Sequence, residues 1–180
     1  MRNSDARERI LETASNLFYR QGYIATGINQ IIKESGVAKT TLYEHFHAKE
    51  DLLIEYLTNM SAQTDKWLKA EADKYDSPKE KILGLFDFLI ELSSQAAYCG
   101  CGFLNIVSEL PSDGGRVKAI IKKQKDNVRA LFADILRPLK KERYADHLYM
   151  LFDGALITNK VHSNPWPIQT AKEMVDKILS

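Results

Sequence analysis

Residues 26–46 read Thr26-Gly27-Ile28-Asn29-Gln30-Ile31-Ile32-Lys33-Glu34-Ser35-Gly36-Val37-Ala38-Lys39-Thr40-Thr41-Leu42-Tyr43-Glu44-His45-Phe46. Behind Thr26, a residue type that caps helices, Ile28, Ile31 and Ile32 recur at helical spacing, and Ser35-Gly36 supplies a turn. Beyond the turn the apolar content falls to Val37, Leu42 and Phe46, and the last two, four apart, share one helix face. The spacing predicts a helix, a glycine turn and a second helix whose remaining surface is polar and aromatic, which is the helix-turn-helix pattern. A helix that enters the major groove needs one apolar ridge to fix it to its own domain. Elsewhere it needs donors and acceptors that let bases and phosphates approach.

On a helical wheel Thr40 and Glu44 point most directly away from the Leu42/Phe46 ridge, with Lys39 and Tyr43 on one flank and Thr41 and His45 on the other. This assigns Lys39, Thr40 and Glu44 to base edges. Tyr43, the Thr26 hydroxyl and Lys49 are assigned to phosphates, because helices begin near the last two and their free N–H groups favour an anion. Up to Glu50 there are seven basic and six acidic residues, so affinity has to come from a few placed cations, with a modest salt dependence. Glu44 repels phosphate, but at a base edge it can accept from cytosine N4.

Outward from this stretch, helical periodicity continues in both directions. Asp5-Ala6-Arg7-Glu8 has capping-box spacing, and Ile10, Leu11, Ala14, Leu17 and Phe18 follow until Gly22. A long fourth helix is expected from Lys49 to Ser77-Pro78, and a fifth, opened by the capping box Ser77-Pro78-Lys79-Glu80, is apolar around most of its circumference. Short and long helical segments follow at 103–110, 116–136, 145–161 and 168–179, separated by Gly100 and Gly102, the loop Ser112-Asp113-Gly114-Gly115, Pro138 and Asn164-Pro165-Trp166-Pro167. The fold predicted is all-α, about nine helices, with a three-helix N-terminal unit running into a larger helical bundle.

Composition narrows the function. Twenty-five Lys and Arg against 24 Asp and Glu give a net charge of +1, so any anion-binding patch is local. Cys99 and Cys101 are too few for a disulfide framework and too close to bridge each other without strain, and a reducing, cytoplasmic setting is expected. No stretch reads as a signal peptide or membrane span. Nucleophile elbows, phosphate-binding glycine loops and metal-ligand spacings are absent from the sequence, and neither enzyme activity, metal nor cofactor is expected; the alternative is an enzyme that uses a cavity of the larger domain with Asp87 and Asp153 as its acids.

The stretch quoted above, continued by Ala48-Lys49-Glu50-Asp51-Leu52-Leu53, resembles the DNA-binding signature of the TetR/AcrR family of bacterial transcriptional regulators. The Gly-Val turn, the Leu-Tyr and His-Phe pairs and the Lys-Glu start of helix four fall in register. The resemblance implies a DNA-binding domain over 1–48 and a ligand-binding and dimerisation domain over 49–180. It also implies a homodimer on a palindromic double-stranded operator, most often a repressor released by a small, hydrophobic effector. Effector-pocket candidates are Met60, Trp67, Phe86, Phe103, Asn105 and Phe152, with Asp87, Asp153 and Asn159 as further polar groups; dimerisation candidates on the last two helices are Leu148, Phe152, Ile168, Met174, Val175 and Ile178. The Gly-Cys-Gly-Phe-Leu-Asn segment at 100–105 resembles one found in some family members, including ones that sense electrophiles or oxidants through a cysteine. Cys99 and Cys101 are therefore either inert thiols or redox sensors.

Overall fold

In the computed structural model, which describes residues 2–111, 113 and 115–180, with side chains from Asp5 on, nine α-helices are seen among the described residues and no strand. They are α1 (Arg2–Gln21), α2 (Ile28–Ser35), α3 (Lys39–His45), α4 (Lys49–Ala72), α5 (Pro78–Ser93), α6 (Gly102–Glu109), α7 (Gly115–Leu136), α8 (Ala145–His162) and α9 (Trp166–Leu179). Two 3-10 turns, Arg137–Leu139 and Glu142–Tyr144, join α7 to α8. In the expected loop at 112–115, Ser112 and Gly114 lie outside the described residues.

Most helix ends follow their local chemistry. Ser77 accepts the Glu80 N–H at 3.2 Å and donates to Glu80 Oε2 at 2.7 Å, so the capping box with Pro78 at the first helical position forms. Gly36 closes α2 in the left-handed region, φ 66°. Several ends differ from the expectation, among them that of α9, which begins at Trp166 inside the expected hinge because Pro167 is accepted in a first helical turn. α1 begins at Arg2, ahead of Asp5. α2 is capped by Gly27, with no side-chain cap, and not by Thr26. α4 stops at Ala72, short of Ser77-Pro78, and the turn after it brings the Tyr75 ring onto Gly84 of α5.

The chain forms two compact units, Met1–Ser61 with Gly102–Lys122, and Ala62–Cys101 with Lys123–Ser180. In the first, Ile10, Ala14, Leu17 and Phe18 of α1 are buried with Ile31 of α2, Leu42 of α3, Phe46, and Leu52, Leu53, Tyr56 and Leu57 of α4. Each fully buried large side chain contributes about 1.5–3 kcal/mol. Arg7 holds the entry to α4, its guanidinium 5.1 Å from the Phe46 ring centroid and paired with Glu55. Gly102 opens α6 against α4: a Cβ there would stand 2.8 Å from Met60 Sδ and 2.9 Å from the Tyr56 hydroxyl.

In the second unit α5 and α8 each pack along α9. Phe86 and Phe132 meet Phe152 edge-on at 5.6 and 5.5 Å, with Ile82, Leu85, Ile168, Val175 and Leu148 closing the core. Lys79–Asp176 and Lys172–Asp87 ion pairs bracket the α5–α9 seam.

Candidate nucleic-acid interface

The geometry of α3 follows from its composition. Only Leu42 is buried within it; Phe46, just past its end in extended conformation, donates its N–H back to Leu42 O and is itself buried. These two side chains pin the helix to the first unit, and Lys39, Thr40, Tyr43 and Glu44 are exposed side by side around one shallow recess. All four stand where the helical wheel puts them. Thr41 and His45 are half-buried, and His45 Nε2 is enclosed without a hydrogen bond, so the second flank of the wheel turns partly into the protein.

The two flanking candidates are placed differently. Thr26 is fully buried: its hydroxyl donates to Gly22 O at 2.6 Å and accepts from Gln21 Nε2 at 3.2 Å. It therefore offers no surface to a phosphate, and its assignment is corrected to a structural one, closing the turn between α1 and α2. Lys49, at the start of α4, donates its ammonium to Tyr23 O and Thr26 O, each at 2.9 Å, and lies 4.2 Å above the Tyr23 ring. Burial holds its pKa below the ordinary lysine value, opposed by the nearby Glu109 carboxylate. Its donors point into the turn.

The remaining sequence candidates divide between the two units. Phe103 and Asn105 of α6 and half-buried Met60 of α4 belong to the first, Trp67, Phe86 and Phe152 to the second. Phe86 and Phe152 form the aromatic core just described, while Trp67 is 50% exposed. Asp87 is a surface partner of Lys172, and Asn159 is buried with its amide donating to Asn164 O at 2.8 Å, so neither is a free polar group for a ligand. Asp153 pairs with Lys125 at 2.8 Å, and the Tyr149 hydroxyl, its pKa raised by burial and then by its hydrogen bond to Asp153, completes that cluster.

Among the dimerisation candidates, Leu148, Phe152, Ile168 and Val175 are buried within their own unit and cannot meet a partner, because α5, α8 and α9 pack on one another through them. Ile178 is half-buried and Met174 is 47% exposed. Besides Met174, other apolar residues are exposed on α8: Met150, Ile157 and Val161 form one stripe along it, with Gly154 between them. Periodicity marks both faces of such a helix as apolar and does not say which one the protomer uses itself.

Cys99 and Cys101 are both half-exposed thiols, flanking Gly100 at φ 93°. Lys125, far away in sequence, brings its ammonium to 3.6 Å from Cys101 Sγ. No local pattern in the sequence signals that approach, nor the contact of Glu109 with the turn before α2, where its carboxylate accepts the Ile24 N–H.

Comparison with known proteins agrees with this geometry. Residues 10–56, which span the second half of α1 to the first turns of α4, match the family described as "Bacterial regulatory proteins, tetR family". The HTH-type transcriptional regulators YxaF and LmrA of Bacillus subtilis are 47% identical over 79 residues and 44% identical over 96. These matches take in 43% and 53% of this chain and 41% and 50% of those proteins, so the chain spans about half the length of the curated relatives it matches. The fold extends the likeness: a TetR-family transcriptional regulator from Streptomyces coelicolor, SCO4454, superimposes with a TM-score of 0.90 at 26% identity, covering 97% of this chain and 88% of that one. The N-terminal helices thus carry the DNA-binding domain of the tetR family of bacterial regulatory proteins, and nearly the whole chain has the all-α fold of a TetR-family transcriptional regulator.

Proposed function

We propose that the protein is a homodimeric repressor that reads a palindromic operator through α3 and leaves it when a small, hydrophobic compound binds the part of the chain from residue 49 on. The observation that carries the reading is the exposed set Lys39, Thr40, Tyr43 and Glu44 on a helix pinned from behind by Leu42 and Phe46. Lys39 and Thr40 supply donors to base edges, Tyr43 a hydroxyl to phosphate, and Glu44 an acceptor for cytosine. A two-fold dimer presents two such helices to half-sites about one helical turn, roughly 10 bp, or a multiple apart. The reading is one of binding and release, without a catalytic step.

Footprinting on the DNA upstream of the protein's own gene tests it. A two-fold symmetric protected site is expected, and Lys39→Ala and Tyr43→Ala should each weaken it by about tenfold or more while leaving the fold intact. Normal binding by both variants would refute the assignment.

The contact between Lys125 and Cys101 favours a second reading, in which the releasing signal is an electrophile or oxidant. A cation beside a half-exposed sulfur is the setting in which thiols react. Release of DNA by a thiol reagent in wild type and Cys99→Ser, but not in Cys101→Ser, is the pattern this reading requires.

A further inference from the structure

The turn between α1 and α2 is held by two neighbouring charged side chains. Lys49 donates to the Tyr23 and Thr26 carbonyls. Glu109, the last residue of α6, accepts the Ile24 N–H at 2.7 Å through Oε2 and attracts the Lys49 ammonium. Gly22 makes room for that carboxylate: it sits at φ 93°, and a Cβ on it would stand 2.7 Å from Glu109 Oε1. The turn in turn sets where α2 starts, since Thr26 donates its hydroxyl to Gly22 O and Gly27 caps the helix. α2 leads through Gly36 directly into α3.

At its other end α6 is seated as closely. Gly102 lies against Met60 and Tyr56 of α4, and Phe103 and Ile106 are buried. An eight-residue helix is a stiff rod of about 12 Å, so a movement at Gly102 arrives at Glu109 nearly undiminished. A hydrogen bond of 2.7 Å is lost when its ends separate by about 1 Å.

We propose that Glu109 is a positioning residue for DNA binding: its carboxylate, at the end of α6, holds the α1–α2 turn from which α2 and then α3 follow. The inference rests on the DNA-binding reading above for its consequence, and on the Glu109–Ile24 contact alone for its mechanism. The contact is charge-assisted, roughly twice as strong as a neutral hydrogen bond, yet it lies at the surface, where water can take over the Ile24 N–H. Removing the carboxylate therefore loosens the turn without unfolding the unit.

Amide exchange and DNA affinity of the full chain decide it, in wild type, Glu109→Ala and Glu109→Gln. In Glu109→Ala, exchange over residues 22–27 should rise about tenfold and specific operator affinity fall about tenfold, with the thermal midpoint and the affinity for random DNA unchanged. Glu109→Gln keeps an acceptor oxygen and should fall between. Operator binding should slow exchange over residues 102–109 in wild type but not in Glu109→Ala, while residues 39–45 are protected in both. Unchanged exchange over 22–27 in Glu109→Ala overturns the proposal, as does operator affinity equal to wild type. If wild type itself binds no specific DNA, the reading of function fails, and the exchange over 22–27 still decides whether the carboxylate holds the turn.

Discussion

Thr26 shows how one side chain can be read two ways. A threonine ahead of an apolar-periodic run is a helix cap by sequence pattern, and a cap next to a helix N-terminus suits a phosphate. In the fold its hydroxyl instead donates to the Gly22 carbonyl, because Gly27 takes the cap position and the turn folds Thr26 inward. Thr26→Val keeps the shape and leaves that carbonyl without its donor, so it should lower stability by about 1–2 kcal/mol, read as a fall of a few degrees in the thermal midpoint. An unchanged midpoint would mean that the hydroxyl contributes nothing to the turn. The exposed residues of α3 were legible for the opposite reason. With a single apolar ridge of two residues, only one orientation of that short helix buries it, and Lys39, Thr40, Tyr43 and Glu44 are then outside by geometry.

Element boundaries show a similar division. The capping box at Ser77–Glu80 forms as its spacing predicts, since all of its partners lie within one helical turn. Past the end of α4 at Ala72 the backbone tightens into a turn, Lys74 N–H to Glu71 O and Tyr75 N–H to Ala72 O, and the Tyr75 ring packs on α5, where Gly84 leaves space for it. Gly84→Ala tests this contact. Alanine favours a helix interior over glycine by about 1 kcal/mol, but here its Cβ would lie 2.2 Å from Tyr75 Cε2. The substitution should therefore destabilise by about 1–3 kcal/mol in chemical denaturation. In a Tyr75→Ala background the same change should become neutral or stabilising; additive losses in the double variant would argue against the ring as the obstacle.

For the whole molecule, the apolar stripe Met150, Ile157 and Val161 on α8, with Met174 on α9, is the surface best suited to the proposed dimer, since the residues that periodicity also offers there are enclosed in the protomer. Met150→Asp and Val161→Asp should give a helical monomer in sedimentation. Val175→Asp, which places a charge in a fully buried position, should cost several kcal/mol and abolish the folded chain. A chain that stays dimeric with both exposed substitutions would place the interface elsewhere. The compact units themselves are built from separated stretches, with 102–122 joining 1–61. Nothing in the apolar period of α6 indicates which unit it will join.

The sequence by itself determined the helices, the turn at Ser35-Gly36 and the exposed face of α3, because each depends on residues within a few positions of one another, whose periodicity and capping chemistry are local. Tertiary structure alone decided the inward Thr26 hydroxyl, the ammonium of Lys125 beside Cys101, the Glu109 carboxylate at Ile24 and which apolar faces of α8 and α9 are covered. Each of these except the first joins residues from different elements, and even Thr26 depends on how a turn folds between two helices. Such contacts follow from the packing of whole helices, and a side chain carries the same chemistry in the sequence whichever neighbour that packing gives it.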